Sequence, residues 1–404
     1  MKTFLRQLGP GILFAGAAIG VSHLVQSTRG GAEFGFGLLW ALFLVHLFKY
    51  PFFQFGPRYA MATGDSLLEG YRKLGKPVLF TYFVLNLATM FTIQTAVTIV
   101  TAGLAASLFG ITTHPISWSI LLLIVSGGIL IIGKYQFLDK FMKYIVVALS
   151  ICTIAAVIIA APNSVETLEL SQIIPADAAG IAFLIAFMGW MPAPLDISVW
   201  HSIWALEKQK VQKSYTIKHS ISDFNIGYVC TIITGILFIS LGALILYQSG
   251  EELENGATQF AFQFIDIYTN TLGPSVYYII AIAAFAAMFS TTLTTLDASP
   301  RAMASATSLL FGTKSKYNTI SWLILLITGT ICMLLFLLSE MVTLVTIATI
   351  LSFVTAPFYA IVNYILVSSK HMPEKWRPSR TMHILSWMGI LFLIGFSIWY
   401  LSTL

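Results

Sequence analysis

The sequence predicts an all-α integral membrane protein with eleven membrane-spanning segments. Three observations carry that reading. The chain of 404 residues is 57% hydrophobic and only 10% charged, whereas soluble domains carry about a quarter charged residues. Apolar stretches long enough to cross a bilayer, which takes about 20 residues, recur along the chain between short polar connections. Basic residues gather in alternate connections.

These basic residues fix the expected orientation. Lys2 and Arg6 precede segment one, Arg72, Lys73 and Lys76 follow segment two, and Lys134, Lys140 and Lys143 follow segment four. Lys208, Lys210, Lys213 and Lys218 follow segment six, Arg301, Lys314 and Lys316 follow segment eight, and Lys370, Lys375, Arg377 and Arg380 follow segment ten. The intervening connections, such as 166–177 and 251–254, are acidic or uncharged. The positive-inside rule then places the N-terminus in the cytoplasm and the C-terminus outside the cytoplasmic (inner) membrane, which requires an odd number of spans. The net charge of +5 belongs to these loops and gives no reason to expect a nucleic-acid partner.

Length and the punctuation of Gly, Pro and charge place the segments at 11–28, 36–64, 78–109, 116–132, 141–161, 178–205, 222–248, 276–310, 320–338, 341–367 and 383–404. Residues 1–10 carry no small-residue cleavage site, so segment one is expected to stay in the mature chain. Cys152, Cys230 and Cys332 lie in apolar runs without metal-ligand spacing and are expected to be core residues.

Segments one and six are interrupted. Gly16, Gly20, Ser22, His23, Gln26 and Ser27 break the first, and Gly189, Pro192, Pro194 and Asp196 break the sixth. Polar or irregular backbone at membrane depth is tolerated where it lines a cavity or is buried in protein. Broken helices in corresponding halves point to the binding site of a secondary transporter. Five segments precede the acidic loop and five follow it before the last, and an odd number per repeat inverts the second copy. The expectation is a LeuT-type fold: a first inverted repeat at 1–161, an external loop at 162–177, a second repeat at 178–367, and a cytoplasmic loop with one additional C-terminal helix at 368–404.

Several stretches carry a family resemblance. Gly9-Pro10-Gly11, the run from Gly30 to Trp40 with its Glu33 and Gly35, Ala62-Thr63-Gly64, Met191-Pro192, His201-Ser202 and Leu272-Gly273-Pro274 together resemble the Nramp divalent-metal transporters over essentially the whole chain. That resemblance implies an eleven-helix transporter that is not an enzyme and carries no cofactor. It also implies a metal-binding Asp-Pro-Gly-Asn break in segment one, but those positions here read Gly20, Val21, Ser22 and His23. The family's Met-Pro-His in segment six reads Met191-Pro192-Ala193, or places Pro194 and Asp196 at the Met and His positions if His201-Ser202 sets the register. The family's acidic pair in segment three corresponds to Ile93 and Ala96, and its segment-ten glutamine to Thr349.

The candidate substrate-binding residues are therefore Gly20, Val21, Ser22, His23 and Gln26 of segment one with Met191, Pro192 and Ala193 of segment six. His23 leads this set, because ionisable residues inside a membrane are functional by default. Asp196, Lys49, His46 and Thr349 are candidates for coupling or gating. Lys49 would cost roughly 2.5 to 3.5 kcal/mol at a helix centre and is expected to be paired structurally, with His46 one turn before it on the same face. Asp196 either couples or pairs with a neighbouring base. Arg29 either attracts an anion or neutralises Glu33 one turn on. Thr291 to Thr295 with Asp297 either bind Na⁺ or bond their own backbone. Trp190, Trp200 and Trp204 are expected to pack or sit at interfaces.

A divalent cation at the bilayer midplane needs oxygen or soft ligands and compensating negative charge. With the aspartate replaced and the half-helix N-termini retained, a small inorganic anion such as bicarbonate fits the field better than a transition metal. No metal site is assigned. The alternative is a divalent cation, Mg²⁺ or Mn²⁺. The expected partners are the transported ion and the lipid bilayer, with the chain acting as a monomer.

Overall fold

The computed structural model describes residues 9–132, 148, 150–163, 170–247, 253–312, 318–336 and 340–402. Lys2, Arg6, Lys134, Lys140, Lys143, Glu166, Glu251, Lys314 and Lys316 of the charge pattern lie outside the described residues, as do the N-terminal residues 1–8 and most of 141–149 in segment five.

Regular structure among the described residues is helical throughout. Segment one comprises α1 (Pro10–Ala18) and α2 (Thr28–Phe34) joined through a π-type turn at Ser22–Ser27, with its two halves bent by 47°. Then come α3 (Leu39–Thr63), a short α4 (Leu67–Leu74), α5 (Lys76–Phe109), α6 (Pro115–Ile132) and α7 (Ser150–Ala160). Segment six breaks into α8 (Ala178–Trp190) and α9 (Ile197–Val211). The chain continues through α10 (Ile217–Ile245), α11 (Ala257–Leu272), α12 (Tyr277–Phe311), α13 (Asn318–Phe336), α14 (Met341–Ser368) and α15 (Arg380–Leu401).

Among the described residues, seven helices are long and apolar enough to span a membrane, and the bent pair of segment one makes an eighth. The polar-bearing α3, the broken pair α8 and α9, and α7 account for the other expected segments, so both interruptions read from the sequence are breaks in the fold. The architecture is the expected LeuT-type arrangement. Isoleucines and leucines such as Ile124, Ile132, Ile324, Leu391 and Ile398 remain exposed on the outside of the bundle, as lipid-facing residues must.

Two elements were not expected. Residues 257–272 were read as part of an outer loop but form α11, which packs on α5. Phe260, Phe264 and Tyr268 recur every four residues and are buried on one face, so the helical period was present in the sequence. The other is α4, whose Ser66 and Glu69 form a reciprocal capping box.

Packing at the middle of the bundle depends on small residues. Gly11 of α1 and Gly227 of α10 lie backbone to backbone, and a Cβ on either would overlap the other helix. Gly31 and Gly242 repeat this approach where α2 crosses α10. Small residues let membrane helices approach this closely because their association depends on van der Waals contact and interhelical hydrogen bonds. The hydroxyls of Thr101 and Thr292, 2.8 Å apart, supply one such bond between α5 and α12.

Candidate functional site: the cavity between the broken helices

The interruptions of segments one and six face a small cavity with room for about one water molecule. Segment one contributes Ala17, Ala18, Val21 and Ser22 to its wall. Segment six contributes Trp190, Ala193, Pro194, Ile197 and Trp200. Ile93 and Val97 of α5 and Thr291 and Thr295 of α12 close the remaining sides.

Most polar side chains in this wall are already engaged. The Ser22 hydroxyl donates to the Ala18 carbonyl at 2.7 Å, and the Trp190 indole donates to Ser352 Oγ at 2.8 Å. Thr291 donates to the Gly16 carbonyl at 3.2 Å, and Thr295 to Gln94 Oε1 at 2.7 Å. Thr291, Thr294 and Thr295 also bond carbonyls of their own helix, and Asp297 pairs with Arg301 at 2.7 Å. Of the two readings of this threonine stretch, the geometry follows backbone bonding. Among the described residues, Trp200 Nε1 is the one side-chain polar atom of the wall that is buried without a partner. An indole N–H can only donate.

The candidate residues divide accordingly. Val21, Ser22 and Ala193 line the cavity, whereas Gly20, His23, Gln26, Met191 and Pro192 are buried outside its lining. His23, the leading candidate, lies outside the lining, with its Nδ1 2.8 Å from the hydroxyl of the lining residue Ser22. Its ring nitrogens lie 3.0 Å from the Thr231 carbonyl of α10 and 2.9 Å from the Ala18 carbonyl, so it ties the break to α10. Gly20 sits against the Thr291 side chain. Met191 belongs to the hydrophobic core. Thr349 bonds the Val345 carbonyl at 2.7 Å, and its backbone packs against Gly189.

Lys49 is fully buried, and its partner is not a carboxylate. Its ammonium donates to the carbonyls of Met188, Gly189, Met191 and Ala193 at 2.7, 2.8, 3.0 and 3.4 Å. The Met188 and Gly189 oxygens lose their intrahelical partners where α8 ends, and those of Met191 and Ala193 follow in the break; a cation at a helix C-terminus is favoured by the dipole. Ala193 also lines the cavity, whereas Lys49 itself lies behind that lining. His46 Nδ1 bonds the Leu42 carbonyl at 2.7 Å, and the His46 carbonyl accepts from Tyr228 at 2.6 Å. Arg29 lies 3.8 Å from Glu33 and also donates to the Leu253 and Glu254 carbonyls, which favours neutralisation over anion attraction.

Asp196 does not line the main cavity. It borders a second, tightly packed crevice with Thr89, Ser352, Thr355 and Tyr359, and Ile93 and Pro194 line both. Neither carboxylate oxygen is met by a side chain among the described residues, and only the adjoining N–H groups of Asp196 and Ile197 approach it. A buried carboxylate without a cation in contact contributes little to stability. Asp196→Asn is therefore expected to leave thermal unfolding of the purified protein unchanged, or to raise stability by on the order of 1 kcal/mol. A loss larger than that would show an ion-pair partner.

A family model described as "Nramp: Natural resistance-associated macrophage protein-like" matches residues 11–403. This chain belongs to the Nramp family. An uncharacterized protein of Pasteurella multocida (strain Pm70) is 34% identical over 98% of this chain and 92% of its own length. A protein of Staphylococcus saprophyticus named divalent metal cation transporter MntH is 24% identical over 96% of this chain and 89% of its own. Among solved structures, the Eremococcus coleocola manganese transporter, crystallised with an aromatic bis-isothiourea substituted compound, superposes with a TM-score of 0.77 at 14% identity. That superposition covers 100% of this chain and 87% of the other. The chain is thus an integral membrane transporter of the Nramp family and not an enzyme. Within this Nramp fold, Ile93 of α5 gives the cavity an apolar wall, and Gly20 and His23 lie outside its lining.

Trp200 is the residue that sequence reasoning missed as a site candidate. It was read as a packing residue, and a tryptophan beside a helix break carries no mark of whether its N–H will find an acceptor.

Proposed function

We propose that this Nramp protein moves a small inorganic anion by alternating access through the cavity between segments one and six. The observation that carries this reading is a cavity lining that presents no carboxylate and includes Trp200, whose buried indole N–H has no acceptor among the described residues. Lys49 occupies the segment-six carbonyls that could otherwise coordinate a cation, that of the lining residue Ala193 among them. Among the described residues no three of His, Cys, Asp and Glu gather as a metal site. The proposed orientation keeps the N-terminus cytoplasmic, with the halves 1–161 and 178–367 rocking about the cavity.

The second reading is transport of a divalent cation, supported by the names of the Staphylococcus saprophyticus and Eremococcus coleocola relatives. Mg²⁺ retaining several waters would need few direct ligands.

Proteoliposome flux separates the two readings. Uptake of bicarbonate or another small anion is expected without Mn²⁺ or Mg²⁺ uptake at micromolar metal. Trp200→Phe, which removes one donor, is expected to weaken anion affinity roughly tenfold, equivalent to about 1.4 kcal/mol. Mn²⁺ or Mg²⁺ flux without anion flux would replace this reading by the second.

A further inference from the structure

We propose that the carbonyl cradle at the end of α8 is a monovalent-cation site, of the class that takes a primary ammonium, which the chain fills with its own Lys49. Four carbonyl oxygens, from Met188, Gly189, Met191 and Ala193, surround one nitrogen at 2.7 to 3.4 Å. The Phe353 ring adds a face 5.9 Å from the same nitrogen, a distance at which an aromatic quadrupole attracts a cation. Among the described residues no carboxylate is in contact with the ammonium, although Asp196 lies within electrostatic reach.

The arrangement has the chemistry of an ion site and not of a salt bridge. Neutral carbonyl dipoles converge on a charge and replace its hydration shell, as oxygen ligands do for a free cation. The cradle arises because α8 stops at Trp190 and leaves its last carbonyls without intrahelical donors. In lipid those oxygens must be satisfied from within the protein. A dissociable cation would meet that need only while bound. A tethered ammonium meets it permanently, so segment six keeps its broken shape without taking up Na⁺ or K⁺. The inference does not depend on which substrate the main cavity carries.

The test is chemical rescue. Lys49→Ala removes the three methylenes and the ammonium that n-propylammonium would restore. In purified protein the variant is expected to unfold at a lower temperature than the wild type. n-Propylammonium chloride is expected to recover at least half of that shift. 1-Propanol and tetramethylammonium chloride at equal concentration should recover none. The wild type is expected to unfold at one temperature in sodium, potassium and choline buffers.

Equal recovery by propanol would show that packing, not charge, is restored, and would overturn the proposal. A variant insensitive to propylammonium, whether it is as stable as the wild type or beyond recovery by purification in the amine, would overturn it as well. Lys49→Met keeps the chain length without the charge. It is expected to be destabilised and unresponsive to the amine because its thioether fills the channel, and wild-type stability in this variant would likewise count against the cradle.

Discussion

Asp223→Ala is expected to destabilise the protein by about 3 to 5 kcal/mol, because one carboxylate leaving α10 strands several donors at once. Asp223 accepts the backbone N–H of Gly9 at 3.1 and 3.2 Å, that of Gly11 at 2.8 Å, and the hydroxyl of Tyr215 at 3.0 Å. The first residues of any helix carry N–H groups without intrahelical acceptors. At α1 the N-cap is Gly9, which offers no side chain, so the capping group is supplied from 212 and 214 residues away. Negative charge at that end also complements the helix dipole. Denaturant or thermal unfolding in detergent measures the loss. Asp223→Asn keeps one acceptor oxygen and is expected to lose about half as much. An alanine variant within 1 kcal/mol of wild type, allowing the usual roughly ±0.5 kcal/mol of a neutral substitution, would show that water replaces the carboxylate.

Gly227→Val is expected to cost about 3 kcal/mol or more through overpacking. The added carbons would meet the Gly11 carbonyl, which is backbone and cannot rotate away. Either α1 leaves α10, breaking the Asp223 clasp beside it, or the chain fails to give monodisperse protein on size exclusion. Gly395→Val is the control, since nothing lies within 4 Å of its Cβ position, and it is expected to behave as wild type. Equal behaviour of the two variants would mean that the α1–α10 approach can relax.

The sequence marked the breaks but not the roles of the residues in them. Ser22, Val21 and Ala193 were found by their position in the breaks, and they line the cavity. His23 was singled out because an ionisable group at membrane depth is usually functional. It is tied to Thr231, 208 residues away, and to its lining neighbour Ser22. Lys49 was expected to be paired, and it is, but with carbonyls 139 to 144 residues on. A search for acidic partners along the sequence could not have found backbone oxygens. The α11 helix was overlooked for a different reason: acidic residues at 251–254 suggested a loop, although Phe260, Phe264 and Tyr268 already had helical spacing.

Local composition by itself determined membrane embedding, the places of the spans and the two interruptions, since a bilayer penalises charge and unpaired backbone wherever they occur. The run of motifs from Gly9 to Pro274 likewise determined the family. Only the tertiary structure decided which polar groups are spent and which are free. His23, Thr291, Thr295 and Lys49 are engaged by acceptors on other helices or one turn back, while the buried N–H of the cavity-lining Trp200 has no acceptor among the described residues. The physical reason is that hydrogen-bond satisfaction in a membrane core depends on which carbonyl a neighbouring helix presents. That geometry is set by close approaches such as Gly11 on Gly227, which no single segment specifies.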